Sequence, residues 1–219
     1  MPELFTGVNP VTSYNYTDLT ANFTREEFYI GRYRAEQVIT SGMIMTNRKY
    51  YSDVTFLKYT TNSSVSIKII DSNADLSFNI PRIIEGDVIV SIPFIGGPPS
   101  GSGNCWLSGL LFIQKISGAT TTNLGNSSIN IFTQSGATTL VGGMRAVNIN
   151  VARTKFKRND TFRVNMKIYG KTDGGVAFDL GIGCDPANRT VPAEEFTGTL
   201  NTALNTIFSL QIPFKLTEV

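Results

Sequence analysis

The sequence predicts an all-β fold, an antiparallel β-sandwich. Three observations predict it. Apolar residues recur in strand-length runs, several of them alternating with period two. Turn residues separate those runs at short intervals. Only 16% of the residues are charged, and surface polarity comes instead from Ser, Thr, Asn and Gly. Those residues suit strands and turns better than helices, whose exposed faces usually carry Glu, Lys, Arg and Ala. No stretch carries a long amphipathic helical pattern. A chain of 219 residues fits one large sandwich, or one domain with an arm.

The elements follow in order. Residues 1–36 carry Phe5, Tyr14, Tyr16, Phe23, Phe28, Tyr29 and Tyr33 on a Thr/Asn background with no sustained period. Disordered tails are poor in aromatics, so this segment is expected to be an extended N-terminal arm that docks on its own domain or on a neighbouring subunit. Thr24 to Glu27 has the spacing of a capping box and opens at most one helical turn. The domain proper is expected over 37–219.

Its strands are expected at Gln37–Met45, Asp53–Tyr59, Ser64–Ile70, Asp75–Ile80 and Asp87–Ile95. Within them Val65, Ile67 and Ile69 share one face, as do Leu76, Phe78 and Ile80. Asp87–Ile95 is apolar almost throughout and reads as a central strand. Gly96 to Gly103 is the plainest loop in the chain. It either sits at one end of a single sandwich or links two small β-domains, and one domain is favoured because too few strands precede it to bury both faces. Trp106–Ile116, Ser128–Thr133, Thr138–Val141, Arg145–Arg153, Thr161–Tyr169, Ala177–Ile182 and Thr206–Leu216 complete the set. Phe162, Val164, Met166 and Ile168 face one way, with Arg163, Asn165, Lys167 and Tyr169 opposite. Val147, Ile149 and Val151 are core candidates, as are Ile207, Leu210, Ile212 and Phe214.

Charge and cysteine usage exclude several classes. The net charge is +2, and the densest basic spots are Arg48-Lys49 and Lys155 to Arg158. No polybasic run exists, so direct nucleic-acid binding is not expected. There is no histidine, which removes a Ser-His or Cys-His dyad and the zinc sets that need imidazole. Cys105 and Cys184 are either bonded to each other or two small thiols. Met1 to Gly7 has neither the basic nor the apolar part of a signal peptide. No apolar run reaches membrane-spanning length, so no membrane partner is expected. With no signal peptide, the six Asn-x-Ser/Thr sites at Asn15, Asn22, Asn62, Asn126, Asn159 and Asn188 are not expected to carry glycans.

No site for catalysis, cofactor or metal is predicted. The acids fall mostly at turns, as Asp53, Asp71, Asp75, Asp87, Asp160, Asp173 and Asp185 do. The adjacent pairs Glu26-Glu27 and Glu194-Glu195 point in different directions on a strand or helix. Gly96 to Gly103 lacks the Gly-Lys-Ser/Thr of a phosphate loop and runs into a strand. Asp173, Asp179 and Asp185 lack a calcium-loop spacing. Trp106, opening an apolar strand, is expected in the core.

Two phrases recur: Ile83-Ile84-Glu85-Gly86-Asp87-Val88-Ile89-Val90 and Phe156-Lys157-Arg158-Asn159-Asp160-Thr161-Phe162-Arg163-Val164. In each an apolar anchor precedes a Gly-Asp or Asn-Asp turn and an alternating strand. Gly and Asn tolerate positive φ, and Asp closes an Asx turn. The phrases resemble those that open inner strands of jelly-roll domains in C1q/TNF-like trimers and in virus and phage virion proteins. That resemblance implies a jelly-roll sandwich acting as a capsid, decoration or spike subunit, a structural protein and not an enzyme. It implies a homo-oligomer, with a trimer as one form, that engages copies of itself and other virion subunits through arm and sheet edges. It also implies residence in the virion after synthesis in the host cytoplasm. Coat proteins that package genome often carry a basic arm, which is absent here. The alternative is a carbohydrate-binding or adhesin-like sandwich with Tyr50, Tyr51 and Trp106 as stacking residues. An enzyme on this scaffold would need two carboxylates converging in a cleft.

Overall fold

The computed structural model describes residues 28–39, 42–46, 56–98, 102–137, 141–183 and 208–215. They form eleven strands: β1 (Phe28–Ile39), β2 (Gly42–Thr46), β3 (Phe56–Thr61), β4 (Ile67–Ser77), β5 (Arg82–Gly97), β6 (Gly103–Ser117), β7 (Thr120–Ala137), β8 (Val141–Phe156), β9 (Thr161–Thr172), β10 (Phe178–Gly183) and β11 (Ser209–Lys215). The all-β sandwich expected from the sequence is present.

One layer runs β3-β10-β5-β11-β1-β2, with β8 on the other edge of β5, and the second runs β4-β9-β6-β7. All pairings are antiparallel except β2 with β4, which joins the layers over Gly42–Ile44 and Asn73–Asp75. β5 is central, as its apolar run predicts. It pairs β8 along one edge and shares the other between β11 and β10.

Period-two alternation fixes which faces meet. Phe162, Val164, Met166 and Ile168 of β9 are fully buried, while Arg163, Asn165, Lys167 and Tyr169 face outward. Aromatic contacts tie the two layers together. Phe78 lies edge-on to Phe156 at 5.2 Å and to Phe214 at 5.9 Å, and Phe156 meets Phe162 at 6.1 Å. Toward the other end, Phe94 of β5 meets Phe132 of β7 at 5.3 Å. Burying one such side chain stabilises the fold by about 1.5–3 kcal/mol.

Several expectations are corrected. Ser64–Ile70 and Asp75–Ile80 are not two strands; the end of the first and the start of the second are one continuous strand, β4, with a bulge between Lys68 and Ile70. Val65 lies ahead of that strand and is 70% exposed, and Ile80 lies past it and is 47% exposed. Of the two repeated phrases, only the second is a turn. Asn159 takes φ 69° there, and Asp160 Oδ2 accepts the Lys157 N–H at 2.7 Å. Gly86, at φ 116°, sits inside β5 at a bulge against β8. Residues 1–27 lie outside the described residues, as do Tyr50, Tyr51, residues 138–140, Cys184 and residues 184–207. β1 runs through position 36 and pairs with both β11 and β2.

Candidate functional site

The outer face of the β4-β9-β6-β7 layer brings aromatic, amide and lysine side chains together. Along β6 the alternation buries Cys105, Leu107, Gly109, Leu111 and Ile113, and sends Trp106, Ser108, Leu110 and Phe112 outward. Trp106 is therefore not in the core as its sequence position suggests. It is half-buried on the outer surface. The register with β9 sets Trp106 opposite Lys171, Ser108 opposite Tyr169, Leu110 opposite Lys167 and Phe112 opposite Asn165.

β7 completes the face with a bulge. Leu107 pairs Phe132 and Ser108 pairs Asn130, leaving Ile131 as the extra residue. Ile131 and Phe132 are both buried. The extra residue restores the parity of the strand, so Asn130 and Ser128 point outward opposite Ser108 and Leu110. The result is an open hollow of about 410 Å³ lined by Ser108, Gly109, Leu110, Ser128, Ile129, Asn130 and Tyr169. The Asn130 amide is held by the Thr133 hydroxyl at 3.2–3.3 Å. Leu110 is 38% exposed at the rim.

Two lysines flank the hollow along β9. Lys171 Nζ lies 4.6 Å from the Trp106 ring centroid, and Lys167 Nζ lies 5.2 Å from that of Phe112. A ring face attracts an ammonium group electrostatically and restricts it. The acids on this face belong to β4 and are engaged. Asp71 meets Lys68 at 2.6 Å and accepts from Asn165 at 3.3 Å. The hydrogen bond from Lys68 is the main reason its carboxyl sits below the usual range. Asp75 takes a bidentate bond from Arg163 at 2.7 and 2.6 Å, which holds that guanidinium charged. No carboxylate lines the hollow.

The other residues considered for chemistry are placed elsewhere. Asp173 Oδ2 accepts the Asn104 N–H at 3.0 Å, and Asp179 Oδ1 accepts the Thr60 hydroxyl at 2.6 Å. Asp185 and the Glu26-Glu27 and Glu194-Glu195 pairs lie outside the described residues. Asp160 is buried at the β8–β9 turn, 3.1 Å from Lys115 Nζ. Burial raises its carboxyl, but the Lys157 N–H, the Ser117 hydroxyl and Lys115 outweigh that and leave it below the usual range. Cys105 is a buried thiol pushed up to about 12, chiefly by desolvation. Sequence reasoning missed Tyr169, Asn130 and the two lysines as a group. The alternation of β9 puts Lys167, Tyr169 and Lys171 on one outer face, but nothing in one strand shows that Ser108 and Asn130 lie beside them.

No protein-family model and no curated protein matches the sequence. Solved structures do match in fold. An α-amino acid ester hydrolase is similar at TM-score 0.50 and 6% identity, over 83% of this chain and 36% of the other. An aminopeptidase from a marine-sediment Thaumarchaeota archaeon is similar at TM-score 0.50 and 5% identity, over 84% of this chain and 37% of the other. The structure of infectious bursal disease virus, Gx strain, is similar at TM-score 0.29 and 11% identity, over 83% of this chain and 46% of the other. The chain thus spans about a third of the length of the two hydrolases it matches.

At these identities the likeness is one of fold. It nevertheless corrects the expectation of a virion, capsid or other non-enzymatic structural subunit. The sandwiches that match at TM-score 0.50 are parts of hydrolases, and the viral match is far weaker. The physical reason is plain in the two phrases that carried the expectation. One is a bulge, and the other is a Lys157–Asp160 β-turn whose Asp160 side chain accepts back from the Lys157 N–H, and both devices serve any sandwich.

Proposed function

We propose that this chain serves a hydrolase as its β-sandwich portion and holds a peptide chain on the outer face of β6, β7 and β9. The observation that carries the reading is the hollow beside Tyr169. A ring and an exposed Leu110 offer apolar contact, and Ser108, Ser128 and Asn130 offer donors and acceptors without a carboxylate. A few placed polar groups around apolar surface is the usual make-up of a ligand site. The fold supports the hydrolase part of the reading, since the same sandwich forms about a third of two hydrolases, one of them named an aminopeptidase.

Amide chemical-shift mapping of the full chain with a pool of short capped peptides tests this. Saturable shifts at Ser108–Leu110, Ser128–Asn130 and Tyr169 are expected. No saturable shift, or a footprint confined to β8 or β3, overturns it. Mass spectra of the recovered pool show where the hydrolytic step lies. Cleaved peptides put it in this chain, and intact ones show that this chain binds without cleaving.

A further inference from the structure

The geometry points to an acidic peptide as the occupant, with two carboxylate side chains four positions apart and an apolar side chain midway. The inference rests on the peptide-holding reading above and names the class of sequence that the face selects.

Pitch is the first argument. Successive outward side chains on a strand are about 6.7 Å apart, so Lys167 and Lys171 leave β9 about 13 Å apart with Tyr169 between them. An extended peptide laid along β9 has the same pitch. It presents alternate side chains to the face, so positions i, i+2 and i+4 fall over Lys167, the hollow at Tyr169 and Leu110, and Lys171.

Charge is the second. Among the described residues neither Lys167 nor Lys171 forms an ion pair; each ammonium lies over a ring, that of Phe112 and Trp106 respectively. Asp71, the carboxylate opposite Lys167 in the β4–β9 register, feels the Lys167 charge but gives its short contact, 2.6 Å, to Lys68. Two ammonium groups thus flank a hollow that has no carboxylate in its lining, and neither is within ion-pair distance of an acid among the described residues. Because the rings already restrict them, less side-chain freedom is lost when they bind. The amide of Asn130 and the hydroxyls of Ser108 and Ser128 lie on the β7 side, where they meet the backbone of such a peptide.

The test compares capped peptides of equal length by calorimetry against the full chain. One has aspartates four apart with leucine midway, one has asparagines at those positions, and one has the aspartates three apart. The aspartate peptide in the matching register is expected to bind about tenfold tighter than the asparagine peptide at low salt, with the difference shrinking as salt screens it. The double variant Lys167→Gln, Lys171→Gln is expected to erase the difference while still binding the asparagine peptide. Equal binding of the aspartate and asparagine peptides overturns the acidic preference and leaves the peptide-holding reading standing. Equal binding of the two aspartate registers overturns the spacing. A preference that survives the double variant overturns the assignment to these lysines. Binding of none of the three overturns both readings. Both substitutions are at outward positions, and unchanged thermal unfolding confirms that the variant is folded.

Discussion

Lys171 holds its ammonium group 4.6 Å from the ring centroid of Trp106, the only tryptophan in the chain. The pair marks one end of the candidate site and supplies a built-in optical probe. Lys171→Gln removes the cation that covers the ring. Emission is expected to move to longer wavelength and acrylamide quenching to increase, with the melting temperature almost unchanged, because exposed side chains contribute little to stability. Fluorescence of the variant beside the parent checks it. An unchanged spectrum would mean that the lysine does not cover the ring in solution.

Gly170 is a packing position. A Cβ there would lie 2.5 Å from Leu180 Cδ1 and 3.2 Å from Ile69 Cδ1, across the space between the layers. Overpacking of this kind costs about 1–3 kcal/mol. Gly170→Ala is expected to lower stability by that amount in urea unfolding, with an unchanged slope. Gly118→Ala is the contrasting case. Its added Cβ meets nothing, so any loss there reflects only the strain of φ 59° at the β6–β7 hairpin.

Asp160 makes stability depend on pH. Its carboxylate accepts the Lys157 N–H at 2.7 Å and meets Lys115 at 3.1 Å while almost fully buried. The folded carboxyl lies below its unfolded value, so its contribution is complete above the ordinary carboxyl range and is lost as pH falls through the folded value. Asp160→Asn keeps the shape but loses the charge. It is expected to cost about 1–3 kcal/mol near neutral pH, and the gap between variant and parent should shrink as pH falls below the ordinary carboxyl range. Chemical denaturation at several pH values reads this directly. A gap that stays constant would show that the charge is not what stabilises the turn.

Cys105 is expected to resist alkylation in the folded chain. The thiolate is the reactive form, and burial holds this thiol up to about 12. Peptide mapping after iodoacetamide treatment at pH ~8 should find Cys105 unmodified when native and modified once denatured. Rapid native labelling would contradict its placement in the core.

The fold was legible where one face is buried and the other wet. In β9, Phe162, Val164, Met166 and Ile168 alternate cleanly with polar partners, and that pattern alone sets both faces. It was less legible in β6, where Trp106, Leu110 and Phe112 are apolar on the outer face and Leu107, Leu111 and Ile113 on the inner. With both parities apolar, the period carries no side assignment, and Trp106 was placed wrongly for that reason. Thr120 to Ser127 of β7 has almost no apolar residue and gave no strand signal; its backbone is ordered by the hairpin with β6. The hollow depends on the β7 bulge at Ile131 and on β6 lying between β7 and β9. Long-range pairing of that sort is not written in any single stretch of sequence.

The most direct test of the account is a titration of the full chain with the acidic peptide, followed by Trp106 emission and by calorimetry, for the parent and for Tyr169→Ala. The parent is expected to show one saturable transition with the same midpoint by both methods. Tyr169→Ala, folded by its circular dichroism, is expected to lose at least about tenfold in affinity, since truncating a central aromatic anchor costs 1–2 kcal/mol or more, roughly. Equal affinity in the two proteins, or no saturable signal in the parent, would contradict the placement of a ligand site on this face.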